Sequence, residues 1–232
     1  MEPIRLDKRL SAQLGIPRGE ARRYIEGGWV TVDGEVVEQP QRPVDEHAVV
    51  VVAEQADDSK AERVSMLLHK PAGVAAETLC ALVSSATRSE LDASEIRPLQ
   101  RHFHGLQLAA PLPAADCGLV VVSQDPATLA HLQRNLGRTE QEYLVDVAEG
   151  GPERGPWLLA RLQQEAGGAK VSWQSEQRLR FAGKGLTAKG LRAAVSTAGL
   201  QVTGVRRLRI GRVALGPLPP GQWRYLGSDE RF

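Results

Sequence analysis

Only two cysteines, Cys80 and Cys117, occur in 232 residues. Two thiols cannot build a disulfide framework, and they cannot ligate zinc without histidine or acid partners. Such sparing use fits a reducing compartment. No apolar run reaches the about 18 residues that a membrane-spanning helix needs. The opening MEPIRLDKRL is charged and has no apolar core, so a secretory leader is not expected and the cytoplasm is the expected location. Internal repeats and low-complexity tracts are also missing. What remains is ordinary: 42% hydrophobic and 25% charged residues. That composition excludes a mostly disordered or collagen-like chain, and the length suits a small domain plus a medium one.

The net charge of +1 hides an asymmetry. From Arg178 onward the chain carries 11 Lys/Arg against 2 Asp/Glu, whereas the residues before it carry 18 against 26. A basic C-terminal third points to a surface that faces a polyanion; the plainer alternative is a solvated face that happens to be basic.

Residues 1–53 read as a small module. Leu6, Leu10 and Leu14 recur every fourth position, which places one apolar stripe on a short helix. Gly15-Ile16-Pro17 ends it. A second helix is expected from about Arg18 to Glu26, with Ala21 and Ile25 inward, stopped by Gly27-Gly28. β-Formers flank Asp33-Gly34 on both sides, a strong hairpin signal. Ala48–Val52 is an apolar strand. Arg5, Lys8, Arg9, Arg18, Arg22 and Arg23 crowd the two helices against three acidic residues. Helices so decorated beside a hairpin can lie on an RNA backbone.

RLDKRL followed by IPRGEARRYIEGGWVTVDGEVV resembles the S-four RNA-binding domain, also called the alpha-L motif. Arg18, Ala21, Arg22, Ile25, Gly28, Val30, Val32, Asp33 and Gly34 fit its pattern. Residues 54–63, polar and acidic, read as a linker, and residues 64–232 as a second domain. There LLHKPAGV is a strand running into a Lys-Pro-x-Gly turn. Gly118–Val122 is a buried strand, and Asp125-Pro126 caps a helix that runs to about Leu136. Strands follow at Glu142–Val147, Arg178–Ala182 and Val205–Ile210, a helix at Leu186–Ala198, and a closing turn and strand at Pro217–Leu226. Without strict strand–helix alternation the class is α+β.

The order of LLHKPAGV, EQEYLVDV and RIGRVALGPLPPGQWRYL resembles the RsuA-type RNA pseudouridine synthases, from about residue 5 to 226. The resemblance implies a pseudouridine-synthase-like domain with a mixed, mainly antiparallel sheet behind the alpha-L module. It implies a structured RNA partner, ribosomal RNA above all, with no DNA, membrane, metal or organic cofactor. The reaction flips a uridine out of folded RNA. It uses an aspartate as the covalent participant, a basic partner that keeps the aspartate ionised, and a tyrosine that stacks on the base. The family carries the aspartate in Gly-Arg-Leu-Asp, five residues before a Gly-Leu strand. Here that stretch reads Ala110-Pro111-Leu112-Pro113, so proline stands at the aspartate position. Asp116 is the nearest carboxylate, yet three residues along a loop displace a side chain by up to about 10 Å. Tyr143 matches the stacking tyrosine, with a core tyrosine as the alternative. Lys189 and Arg192 retain basic positions of a degraded helix motif.

Arg101, His102 and the neighbouring His104 suit RNA contact, the two histidines sharing one face of an extended segment; a metal site there lacks a third ligand. His69 and Cys117 read as structural. On the basic strand, Arg207 and Arg209 are expected to point outward together while Leu208 and Ile210 pack. Two functions follow: an RNA-binding protein on a pseudouridine synthase scaffold that is catalytically silent, or an active isomerase that uses Asp116. A structural or protein-binding role is the third reading.

Overall fold

The computed structural model describes residues 3–54, 56 and 63–232. Most of the expected linker, 55 and 57–62, lies outside the described residues. The chain forms two compact units. One takes residues up to 63 together with 97–105, and the other takes 64–96 and 106–232.

In the first unit β1 (Ile4–Arg5) leads into α1 (Leu6–Leu14) and α2 (Arg18–Glu26), followed by β2 (Val30–Val32), β3 (Glu35–Val36), β4 (Pro43–Val44) and β5 (Val50–Val52). Leu6, Leu10, Ala21 and Ile25 are fully buried and pack with Val30, Val32 and Val44. Leu14 departs from the expected stripe: it is 42% exposed, because it occupies the last position of α1 before the left-handed Gly15 cap. β2 pairs with β3 and β5. Asp33 and Gly34 both have positive φ, 53° and 86°, the backbone that a tight two-residue hairpin turn demands.

The second unit contains β6 (Ser65–Lys70), β7 (Gln107–Ala109), β8 (Cys117–Ser123), α3 (Pro126–Asn135), β9 (Glu140–Val147), α4 (Pro156–Glu165), β10 (Lys170–Ser175), β11 (Arg178–Lys184), α5 (Ala188–Thr197), β12 (Val202–Ile210), β13 (Val213–Ala214) and β14 (Trp223–Tyr225). Its sheet runs β10-β11-β9-β12-β8-β6-β14, with β13 on β12 and β7 on β8. Only the β12–β8 pairing is parallel, so the sheet is mixed and mainly antiparallel. Asp125 caps α3 as expected, accepting from the backbone N–H groups of Ala127 and Thr128 at 3.2 and 2.9 Å. In this unit β7, α4, β10 and β13 were not anticipated, nor were β1 and β4 in the first. The signal for α4 was present in Gly155-Pro156, a helix start, and in Leu158 and Leu162, both buried one turn apart.

β8 and β12 approach unusually closely. Gly118 lies at φ +109°, and a Cβ there would fall 2.3 Å from the Arg207 carbonyl oxygen. Only glycine fits this crossing, and it fixes where the loop preceding β8 enters the sheet.

Candidate active site and basic surfaces

The loop 110–117 carries the position where the resemblance expects an aspartate. Pro113 is exposed on it, and Asp116 is its one carboxylate. Asp116 is 0% exposed. Its Oδ1 accepts from Arg192 Nε at 3.0 Å and from Nη2 of the same guanidinium, while Oδ2 is buried without a hydrogen-bond partner. Arg192 reaches it from α5, a helix capped by the Thr187 hydroxyl and seated by buried Leu191, Ala194 and Val195.

The loop itself is clamped from below. Lys70, at the end of β6, is fully buried. Its ammonium donates to the carbonyls of Pro71, Ala114 and Asp116 at 3.0, 3.0 and 2.7 Å. Burial lowers the Lys70 pKa from the ordinary lysine value, and nearby Asp116 opposes that shift. Gly73 N–H donates to Ala114 O at 2.7 Å. Ala110, at the position where the family pattern has glycine, sits at φ +53°, a left-handed backbone that costs a residue with a Cβ about 1 kcal/mol. Ala110 thus adopts the backbone conformation that glycine takes most readily, at the position where the resemblance expects one. Arg207 stabilises it by donating to the Ala110 carbonyl and, at 2.8 Å, to Leu119 O.

That role corrects the expectation for Arg207. It is 1% exposed and does not point outward with Arg209. The β12–β9 register shifts between Arg207 and Arg209, a bulge that breaks the simple two-residue alternation. Arg209 instead pairs with Glu140 at 2.5 Å and Glu142 at 3.3 Å. Tyr143, opposite Arg207 across β9 and β12, is likewise buried to 1% and donates its hydroxyl to Gln141 Oε1 at 3.0 Å. In this state it is a core side chain rather than an open stacking platform. Lys189 is exposed on the first turn of α5.

The charge asymmetry along the chain closes on itself in part in space. Of the 11 basic residues from Arg178 onward, Arg178, Arg180, Arg192, Arg209 and Arg224 form ion pairs with Asp146, Glu142, Asp116, Glu140 and Glu230. Hydrogen bonding from Arg180 is the main reason that Glu142 titrates below the usual carboxylate range. A basic stretch in one dimension thus becomes, in part, a cross-strand ladder in three.

In the first unit Arg5 and Arg18 both hold the buried Asp7, at 3.0 and 3.1 Å. Those contacts lower the Asp7 pKa against the opposing effect of desolvation, which is the largest single influence. The two guanidiniums still remain about half exposed. Lys8, Arg22 and Arg23 are exposed on the helices and Arg9 is half-buried. Residues 100–103 form a short 3-10 helix rather than an extended segment, so His102 and His104 do not share a face. His102 is buried, and His104 is exposed 3.5 Å from Glu26. Desolvation, with Arg101 beside it, pushes the His102 pKa down to about 4. His69 is buried with Nδ1 2.6 Å from the Leu218 carbonyl. Among the described residues no group of three or more His, Cys, Asp or Glu side chains is placed to hold a metal ion, and no helix is long and apolar enough to cross a membrane.

Comparison with known proteins agrees with this architecture. Residues 4–50 match the S4 domain. An uncharacterised RNA pseudouridine synthase of Mycobacterium tuberculosis is 30% identical over 241 residues, covering 98% of this chain and 91% of its own length. One from Aquifex aeolicus is 28% identical, covering 98% and 94%. Among solved structures a pseudouridylate synthase superposes with a TM-score of 0.57 at 19% identity, covering 96% of both chains. With the alpha-L module, the mixed sheet and these full-length relatives in place, the chain belongs to the RsuA-type RNA pseudouridine synthase family with an N-terminal S4 domain.

Proposed function

We propose that this protein binds structured RNA, with ribosomal RNA its target in the cytoplasm, and does not isomerise uridine. One observation carries the reading. The position that should present a carboxylate to the flipped base is Pro113, and the loop's one carboxylate is fully buried on Arg192. A group that reacts with a nucleotide must reach it within about 3–3.5 Å, and a side chain with no exposed surface touches no ligand. The exposed cations of the S4 module, Lys8, Arg22 and Arg23, support the RNA-binding half of the proposal, because contacts to phosphate need charge at the surface and no nucleophile. The test measures binding to unmodified ribosomal RNA transcripts across a salt series, with pseudouridine mapped on the same transcripts afterwards. Salt-sensitive binding with no modified position agrees with the proposal. Absence of binding sinks it.

A second reading has a specific observation in its favour. Asp116 has the basic partner that the chemistry requires, and its Oδ2 is unengaged. If RNA drew the loop off Lys70, that oxygen would be uncovered for attack, and the chain would act as its relatives are named, as an RNA pseudouridine synthase. Pseudouridine on the transcripts, lost in Asp116→Ala, would establish this reading instead.

A further inference from the structure

A groove of about 660 Å³ opens in the second unit, away from loop 110–117, between the C-terminal end of α3, the start of β9 and the end of β12. His131, Asn135, Arg138, Arg209, Arg212 and Arg231 line it. Its one acidic side chain, Glu140, is taken up by Arg209 at 2.5 Å. Arg138 and Arg212 are exposed and have no ion-pair partner among the described residues. Four arginines line the groove beside a single acidic side chain, so positive charge is in excess there.

We propose that this groove is a binding surface for the phosphodiester backbone of RNA, outside both the S4 module and loop 110–117. The inference rests on the RNA-binding reading above and names a second place where that RNA is held. Two features favour an RNA backbone over a small anion. The groove, at about 660 Å³, has room for more than one phosphate group. Its donors are mainly arginines, whose planar forks match phosphate oxygens bidentately. The contacts would position RNA without reading its sequence.

The experiment compares the full chain with Arg138→Gln/Arg212→Gln and with Arg138→Lys/Arg212→Lys, using fluorescence anisotropy on labelled ribosomal RNA transcripts from 50 to 200 mM KCl. Both residues are exposed, so the substitutions leave the core untouched. Each phosphate contact contributes about one to the slope of log affinity against log salt. The glutamine pair is expected to lower that slope by about two and to weaken binding at every salt concentration. The lysine pair, which keeps the charge, is expected to retain most of the slope. Wild-type slope and affinity in the glutamine pair, alongside weakened binding by Arg22→Gln/Arg23→Gln, would overturn the groove and leave the S4 reading intact. No binding by the wild-type chain would overturn both.

Discussion

Removing Arg192 should damage the fold more than removing Asp116, although the two residues form one ion pair. The asymmetry comes from burial. Asp116 has no exposed surface, while the Arg192 side chain is 31% exposed. In Asp116→Ala the freed guanidinium can turn to water and the Lys70 ammonium keeps its three carbonyl acceptors, so the loss is mainly that of a charged hydrogen bond, about 1.5–3 kcal/mol. In Arg192→Ala the carboxylate stays buried with both oxygens unpartnered, and breaking a buried pair in this way costs about 3–5 kcal/mol. Lys70 softens the loss only through its charge, since its hydrogen bond goes to the Asp116 backbone carbonyl. For a unit of this size about 2–4 °C follows each kcal/mol, so Arg192→Ala should lower Tm by about 10 °C and Asp116→Ala by about half that. Urea unfolding at pH 7 of both single variants and the double variant checks the ordering, and the double variant should resemble Asp116→Ala. Equal losses, or a loss below about 1 kcal/mol in Arg192→Ala, would refute the view that Asp116 is a buried structural anion.

Other outcomes follow from the same contacts. The unfolded chain takes up a proton on His102 near pH 6.5, whereas the folded form holds it neutral down to about 4. Stability from this group is therefore full above about pH 6.5 and falls between 6.5 and 4, by up to about 3 kcal/mol; urea midpoints of wild type and His102→Gln at pH 7 and 5 should converge if this is right. Gly118→Ala would push a methyl group into the Arg207 backbone and should cost more than about 3 kcal/mol, read as a large Tm loss or failure to fold. Ala110→Gly should raise stability by up to about 1 kcal/mol, because it relieves the left-handed alanine, with the gain read from the urea midpoint.

The two helices and the hairpin of the first unit were legible because their signals are local, whereas its 97–105 segment was misread. Asp33-Gly34 needs only its own two dihedrals, and Leu6, Leu10, Ala21 and Ile25 need only a helical period. In the second unit β6, β8, β9, β11, β12 and β14 were legible from their strand patterns while β7, β10 and β13 were not, and the site was not legible from side-chain type alone. The resemblance puts proline, Pro113, at the position where the family carries its aspartate, a reading that rests on register along the sequence alone. It could not say that Asp116 would turn inward, because Arg192 lies 76 residues away on another element. Arg207 was misread for the same reason: a bulge and two distant carbonyls decide its direction, and neither leaves a trace in a pattern of alternation. The charge of the C-terminal third misled in part, because its partners Glu140, Glu142 and Asp146 belong to the acidic remainder of the chain.

Tritium release from undermodified ribosomal RNA labelled at carbon five of uridine addresses the central claim most directly, since isomerisation expels that hydrogen. Wild-type protein should bind the RNA in a salt-sensitive manner and release no tritium above a blank without protein. Release above the blank, abolished by Asp116→Ala in a variant that still folds and binds, would contradict the claim and show that the buried aspartate is brought out to do chemistry.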